Sequence, residues 1–310
     1  MSSIEAIRDR IETTESLESV VHVMKALSAA SITRAEETAR RLREYQDVVD
    51  RGLQATLAQL GISALADEPT RTSAIIVLGS DWGLCGRFNE VSVDRATAMI
   101  HGRQRAGEHV AVAAVGLRAN NRLEASGLDA EAFFSQPASV SGLTGTVEQL
   151  LVQILAWREA GRADRVVLVH NAMRDRSLNT LEETLLPLAQ EEIAEIAERS
   201  WPSRCLPMLD ANPEETFSAL VRERLFVALM RSTAESLAAE HATRLATMQA
   251  AERNIAEALD ELQADFRRER QNAITTELMD IVTAYGAVRD KGEGEPRGSD
   301  ADDAVHVASS

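Results

Sequence analysis

The fold of this chain is decided by residues 245–288, which read LATMQAAERNIAEALDELQADFRRERQNAITTELMDIVTAYGAV. Apolar side chains recur there at intervals of three or four residues, the spacing that keeps them on one face of an α-helix. This stripe comprises Leu245, Met248, Ile255, Leu259, Leu262, Phe266, Ile274, Leu278, Ile281, Tyr285 and Val288. A stripe of this length predicts a coiled-coil seam, which requires a partner helix.

The other end of the chain supplies a candidate partner. Residues 3–58 contain no Pro and only one Gly, Gly52, so they are predicted to be helical. Their approximate seam changes register between Ile11 and Leu17, and it comprises Ile4, Ile7, Ile11, Leu17, Val21, Met24 and Leu27. Because an intervening compact domain can return the chain alongside itself, the two tracts are predicted to form an antiparallel coiled coil.

Strands alternate with helices between the two tracts. Short apolar runs predict buried strands at 73–78, 109–115 and 165–170 with a further edge-like strand at 177–188, and the helices are predicted at 89–102, 117–125 and 146–160. The fold class is therefore α/β: a Rossmann-like domain with a largely parallel sheet, inserted between two long terminal helices. The predicted regions are an N-terminal shaft helix (1–60), the α/β domain (70–210), a C-terminal shaft helix (212–288) and a disordered acidic tail (289–310).

Composition narrows the classes of partner. The net charge of −16 argues against binding nucleic acid, because phosphate is bound by basic clusters. The sequence contains no run of about 18 apolar residues and no basic-then-apolar start, so neither a transmembrane helix nor a signal peptide is predicted. Cys85 and Cys205 are far apart in sequence, which favours reduced thiols and an intracellular setting.

Motifs for catalysis, cofactor binding or metal binding are not found in the sequence. It has no GxxxxGK, GxSxG, HExxH or CxxC pattern. The turn GSDWGLCG at 79–86 follows a strand and precedes a helix, where a phosphate could bind exposed N–H groups. It lacks the GxGxxG spacing and the lysine of a nucleotide loop, so a structural turn with glycines at positive φ is favoured. His170 and His241 are expected to be packed or solvated rather than to bind metal.

Six segments in order resemble the gamma subunit, the central rotor stalk, of the F-type ATP synthases, over about residues 4–288. They are IRDRIETTESLESVVHVMKALSAASITRAEE near the start, SDWGLCGRFNE at 80–90, VAAVG at 112–116, VVLVHN at 166–171, ESLAAEHATRLATMQAAERN at 235–254 and RQNAITTELMDIV at 270–282. Met24-Lys25 stands where the family has its Ala-Met-Lys signature. Trp82, Arg87 and Ser31 depart from the family pattern, which is compatible with a divergent or alternate F-type complex.

The resemblance implies a non-catalytic rotor without a cofactor. Its helical shaft would turn inside a ring of alpha and beta subunits, with the α/β domain near the membrane c-ring and an epsilon-type subunit, at the cytoplasmic face of the membrane. Rotation would couple proton or sodium flow to ATP synthesis or hydrolysis. The implied contacts with the alpha/beta ring are Met24, Lys25, Arg270, Gln271, Thr275 and Ile281, where the polar residues of RQNAIT would meet an acidic loop of the beta subunits. The implied family turn comprises Asp81, Gly83, Leu84, Cys85 and Gly86.

Two other function classes stay open on the sequence alone. A nucleotide-binding α/β protein would use the 79–86 turn to hold phosphate. A coiled-coil adaptor would use the seam of the terminal helices without rotation.

Overall fold

A computed structural model describes residues 3–60, 71–201, 203 and 212–292, with side chains described as far as residue 284. Its helices are α1 (Ser3–Leu60), α2 (Phe88–Arg105), α3 (Leu117–Ala125), α4 (Leu143–Glu159), α5 (Gln190–Glu198) and α6 (Pro213–Gly292). Its strands are β1 (Thr72–Leu78), β2 (His109–Val115), β3 (Ala132–Phe134), β4 (Arg165–Arg174) and β5 (Ser177–Leu186). The predicted α/β class with long terminal helices is confirmed.

The five strands form one sheet in the order β3-β2-β1-β4-β5. Its first four strands are parallel, with Ile75 of β1 opposite Val112 of β2 on one side and Val167 of β4 on the other. β5 pairs with β4 in the antiparallel direction and forms one edge of the sheet. The central strands are buried on both faces, which explains their continuous Val, Ile and Ala character.

Helices cover both faces of the sheet. One face packs against α4 and the first part of α6, in a core that includes Leu150, Ile154, Leu225 and Leu229. The other face packs against α2 and α3 through residues such as Val93, Ile100 and Leu123. Because α6 contributes Leu225 and Leu229 to the core of the sheet domain, about the first five turns of this helix are part of that domain.

The described residues fall into two compact units, one within Val20–Glu252 and one within Met1–Ser19 and Arg253–Ser310. In the first unit α1 and α6 lie antiparallel. Side-chain bonds link Lys25 to Glu252, Arg43 to Glu235 and Asp50 to Arg224, so residue numbers rise on one helix as they fall on the other. Small side chains at the seam, including Ala35, Ala39, Ala234 and Ala238, are buried and allow close approach.

In the second unit, the apolar seam of α6 is only partly covered. Leu262 is buried and Phe266 half-buried, whereas Ile274, Leu278 and Ile281 are exposed. A groove of this unit is lined by both helices, with Asp9, Arg10, Thr13 and Thr14 opposite Ala258, Glu261, Leu262 and Asp265. If the antiparallel pairing continues to the first residue of α1, Ser3, that residue lies opposite about residue 271 of α6. The seam residues of α6 after that point therefore lack a partner helix among the described residues.

The predicted seam of α1 needs correction. Leu17 and Leu27 were assigned to it, but both are more than half exposed. The less exposed positions continue the spacing of Ile4, Ile7 and Ile11 without a change of register, through Thr14, Val21, Lys25, Ser28, Ile32, Ala35 and Ala39. Polar and small residues occupy several positions of this seam. The apolar residues next to them were therefore assigned to the seam in their place.

Further differences concern two elements that were not predicted and the bounds of three others. β3 and α5 were not predicted, and α6 continues four residues past Val288, to Gly292. β4 is longer than predicted, and the strand predicted at 177–188 ends at Leu186. The predicted break at 61–69, Cys205 and the tail beyond residue 292 lie outside the described residues.

Candidate functional site

The last described turns of α6 expose apolar side chains. Ile274, Leu278, Met279, Ile281 and Val282 are each about half or more exposed, with Ile281 at 59%. Large apolar patches on a soluble chain mark surfaces that bind another molecule. The stretch therefore has the properties of an interaction surface.

Polar residues lie immediately before this apolar stretch. Arg270, Gln271 and Thr275 are all exposed. The Thr275 hydroxyl donates to the Gln271 carbonyl at 2.9 Å, which satisfies it within the helix. Arg270 has no ion pair among the described residues, so its guanidinium can take a carboxylate from outside.

Met24 and Lys25 are half-buried on α1. The Lys25 ammonium donates to both carboxylate oxygens of Glu252, at 2.9 and 2.7 Å. An ammonium has three N–H donors, so one is left for a partner. Lys25 therefore holds α1 to α6 first, and any contact it makes outside this chain is additional.

The turn at 79–86 lies at the carboxyl end of the parallel strands, where β1 and β2 end. The Asp81 carboxylate accepts from the backbone N–H of Leu117 at 2.8 Å and from that of Gln136 at 3.1 Å. Ser80 N–H donates to Asn89 Oδ1 at 2.8 Å, and Asp81 N–H donates to Gln136 Oε1 at 3.2 Å. Asp81 therefore ties together the segments that follow β1, β2 and β3.

These bonds leave the turn poorly suited to phosphate. The Asp81 carboxylate already accepts at the N-terminus of α3, where an anion would bind. Gly79 N–H is also used, because it donates to the Val115 carbonyl at 2.8 Å. A phosphate at the N-terminus of α3 would therefore have to displace this carboxylate, which argues against an anion site there.

Backbone conformation in this turn differs in part from the prediction. Gly86 has positive φ (56°), as expected, but Gly83 does not, and Leu84 does, at 62°. A positive φ is unusual for a residue with a branched side chain. Leu84 and Trp82 both project outward, Trp82 at 76% exposed, while Cys85 is buried. A side chain on Gly79 would come within 2.3 Å of the Ala119 Cβ, so this glycine is required for close packing.

Buried ion pairs along α6 were not anticipated from the sequence. Arg224, Glu235, Glu240 and Arg244 are each at least nine-tenths buried. Arg244 pairs with Glu240 and points toward the Trp82 and Gly83 carbonyls, at 3.5 and 3.3 Å. Charged residues are rarely buried unless they are paired. The available signal was their i, i+4 spacing, which exposed helix faces also show.

Glu235 is the most heavily paired of these carboxylates. Arg43 donates to it at 2.6 Å, Arg231 lies 3.5 Å away, and His170 Nε2 lies 3.6 Å from its second oxygen. Although burial acts in the opposite direction, His170 and the two arginines lower the pKa of Glu235 to about 2. It is therefore charged at neutral pH and holds α6 against α1 through Arg43.

The two histidines singled out in the sequence are packed within the fold. His170 is 1% exposed, and His241 is half-buried with both ring nitrogens enclosed and unpaired among the described residues. Burial, with a smaller effect of Arg244, lowers the pKa of His241 to about 4. The described part of the chain contains no group of three or more His, Cys, Asp or Glu placed to hold a metal ion.

Comparison with known proteins gives one consistent family. A family profile described as ATP synthase matches residues 3–288. The chain is 28% identical to the ATP synthase gamma chain of Chlorobium phaeobacteroides (strain BS1), over 93% of this chain and 99% of the relative. It is also 28% identical to that of Granulibacter bethesdensis, over 93% of this chain and 100% of the relative.

Solved structures share the fold. A chain from the central stalk and c-ring of Tetrahymena thermophila mitochondrial ATP synthase aligns with a TM-score of 0.56 and 17% identity, covering 75% of this chain and 99% of that one. A chain from the OSCP/F1/c-ring structure of Euglena gracilis mitochondrial ATP synthase gives 0.61 and 13%, covering 96% and 99%. The chain therefore belongs to the ATP synthase gamma family, whose members form the non-catalytic rotor stalk of F-type ATP synthases.

Proposed function

We propose that the end of α6 turns inside a ring of alpha and beta subunits. The observation that carries this proposal is the exposed apolar stretch between Ile274 and Val282. The described residues leave this apolar surface uncovered, and a surrounding ring would cover it at every angle of rotation. The bonds within the 79–86 turn leave that turn poorly suited to ATP.

Arg270 and Gln271 lie just before this stretch, and we propose that they hold an acidic loop of the beta subunits. A guanidinium can form two parallel charge-assisted hydrogen bonds to a carboxylate, so it is suited to a directional contact. The exposure of Arg270 supports this role. Thr275, Met24 and the spare N–H of Lys25 are proposed as further contacts with the ring.

The α/β domain is proposed to lie toward the membrane c-ring and an epsilon-type subunit, at the cytoplasmic face of the membrane. None of the described helices is long and apolar enough to span a bilayer. Ion flow would therefore act on this chain through its partners. Differences in the contacts that the rotor makes with each catalytic site would shift the populations of site states, which couples rotation to ATP synthesis or hydrolysis.

Arg270→Ala tests the proposed contact. Removing one partner of a buried, hydrogen-bonded charge pair between subunits typically weakens the interface by about 2–5 kcal/mol. We expect ATP-driven ion pumping by the reconstituted complex to fall, while the isolated chain unfolds at the same denaturant concentration as the wild type.

Arg267→Ala is the matched control, because Arg267 is exposed on the same helix one turn earlier. It should leave pumping unchanged. Equal pumping by the wild type and both variants would show that Arg270 does not hold the ring.

A further inference from the structure

One buried arginine joins three helices. Arg224 of α6 is 7% exposed, and its Nε donates to Asp50 Oδ1 of α1 at 2.9 Å while Nη2 binds Glu192 of α5. Arg199, which follows α5, donates from Nη1 to the other oxygen of Asp50 at 3.4 Å. We refer to Asp50, Glu192, Arg199 and Arg224 as the junction cluster.

The junction cluster keeps its charges despite burial. Although burial opposes the charged form, Glu192 and Asp50 raise the pKa of the Arg224 guanidinium. Asp50 is also buried, at 4% exposed. The cluster therefore contains a cation and an anion that have both been removed from water.

Apolar packing, separate from the ion pairs, also holds these helices together. Leu53 and Leu57 of α1 pack against Ile193 and Ile196 of α5 in a buried apolar cluster. Burial of such apolar side chains is the main attraction between packed helices. Buried ion pairs, in contrast, can often be replaced by apolar residues of similar size without loss of stability. Stability alone therefore does not explain the junction cluster.

An ion pair supplies what apolar contact does not, namely direction. The guanidinium fork fixes the positions of two carboxylates on two other helices. Apolar attraction is non-directional, so packed helices held by it alone can slide with little change in buried area. A cluster of this kind resists sliding of α6 past α1 and α5.

The three helices have different attachments. α5 begins four residues after β5 ends, so it is tied through a short connection to the edge of the sheet. α1 and α6 are the two helices of the antiparallel pair. Torque that passes between the sheet and the helical pair is shared between the core that packs α6 on the sheet and the contacts among these three helices.

We propose that the junction cluster is a torsional lock that transmits torque between the α/β domain and the paired helices. The proposal rests on the rotor function proposed above. It assigns to Asp50, Glu192 and Arg224 a mechanical role that differs from holding the fold together. The lock works because the bonds of one guanidinium would have to break before α6 could slide.

The decisive variant is Asp50→Leu/Glu192→Leu/Arg224→Met, which replaces the ion pairs by apolar side chains. The control is Glu37→Leu/Arg41→Met, which removes an exposed pair within α1. A bead is attached through Val152→Cys, exposed on α4, with Cys85 and Cys205 replaced by serine. The angular variance of the bead is recorded on complexes whose ring is fixed and whose rotation is stalled.

The triple variant should melt no lower than the wild type and show a larger angular variance, because the apolar contacts that replace the ion pairs are non-directional. The control should match the wild type. Equal variance in the triple variant and the wild type would overturn the lock. If the triple variant does not fold, the angular variance of the bead is measured on Arg224→Lys instead. A lysine ammonium cannot reproduce the guanidinium fork, so this variant should also show a larger variance than the wild type.

The two proposals fail in different ways. A wild-type complex that hydrolyses ATP without turning the bead contradicts the rotor function, and the lock with it. A wild-type complex that turns the bead, with a triple variant equally stiff, rejects the lock alone.

Discussion

Two regions of α6 depart from the usual pattern, in which apolar side chains are buried and charged side chains are exposed. Between residues 224 and 244, α6 buries charged side chains, including Arg224, Glu235 and Glu240. Between residues 274 and 282 it exposes apolar ones, including Leu278 and Ile281. The charged residues of the first region are paired within this chain, whereas the apolar residues of the second lack cover from the described residues.

The difference separates what this chain does alone from what it does with partners. Buried ions are stable only when they are paired, so the first region depends on α1, α5 and the sheet. Exposed apolar side chains contribute little to folding of the isolated chain. Truncating a single charged side chain in the first region should therefore lower the stability of the isolated chain, whereas truncating an apolar one in the second should leave that stability nearly unchanged.

The largest expected effect on stability comes from Arg224→Ala. Removing one partner leaves Asp50 buried without its closest cation, and breaking a buried pair destabilises by about 3–5 kcal/mol. In contrast, Arg270→Ala should change the free energy of unfolding by less than about 0.5 kcal/mol, as for most surface substitutions. Urea denaturation of the isolated chains measures the free energy of unfolding of both variants. A similar decrease in the two would show that the two regions do not differ in their contribution to stability.

Replacing leucine by alanine once in each region compares their contributions to stability a second time. Leu229 is fully buried in the core against the sheet. Leu229→Ala should therefore destabilise by about 2–5 kcal/mol, through lost burial and the cavity that remains. Leu278→Ala, on the exposed stretch, should stay within about 0.5 kcal/mol. If Leu278→Ala instead destabilises the isolated chain strongly, that stretch is packed in solution.

A smaller effect, dependent on pH, is expected at His241. Its pKa is lowered from 6.5 to about 4, so the unfolded chain binds more protons than the folded one between these values. The neutral His241 ring contributes fully to the free energy of unfolding above about pH 6.5. This contribution decreases as the pH falls toward 4, and below that pH the free energy does not change further through this group. After allowance for solvent screening, the loss is on the order of 1–2 kcal/mol.

His241→Gln tests this assignment, since glutamine does not titrate. The free energy of unfolding of the wild type should fall more between pH 7 and pH 4.5 than that of the variant. Parallel pH profiles for the two proteins would place the acid sensitivity on other groups.

The smallest effect is expected from shortening the chain after α6. Residues 293–310 are polar and acidic, with few apolar side chains to contact a ring. Deleting them should leave ATP-driven pumping unchanged, whereas deletion from Ile281 onward should lower it because the exposed apolar stretch is shortened. A loss of coupling in the shorter deletion alone would assign a regulatory role to residues 293–310.

Sequence periodicity predicted the elements whose side chains are uniform in character. β2 and α3 have the predicted bounds, and the apolar runs of β1 and β4 identified the centre of the sheet. β3 was missed because it has only three residues, too few for a periodic signal. The seam of α1 was misplaced because Thr14 and Ser28 occupy positions where apolar residues were expected.

The site was predictable to a different extent. RQNAIT pointed to Arg270 and Gln271, and their exposure is compatible with the predicted contact outside the chain. The junction cluster was not predictable. Asp50 and Arg224 are 174 residues apart, and a charged residue in a helical sequence is ordinarily assigned to the exposed face. Only the packing of α1 and α6 brings them together.

The central claim is that this chain is the rotor, and the most direct test is to observe it turning. The reconstituted complex is fixed by its ring, and a bead is attached to the α/β domain through Val152→Cys, with Cys85 and Cys205 replaced by serine. Addition of ATP should produce sustained rotation of the bead in one direction, which stops when ATP is exhausted. ATP hydrolysis at the normal rate by complexes whose bead does not turn would contradict the account.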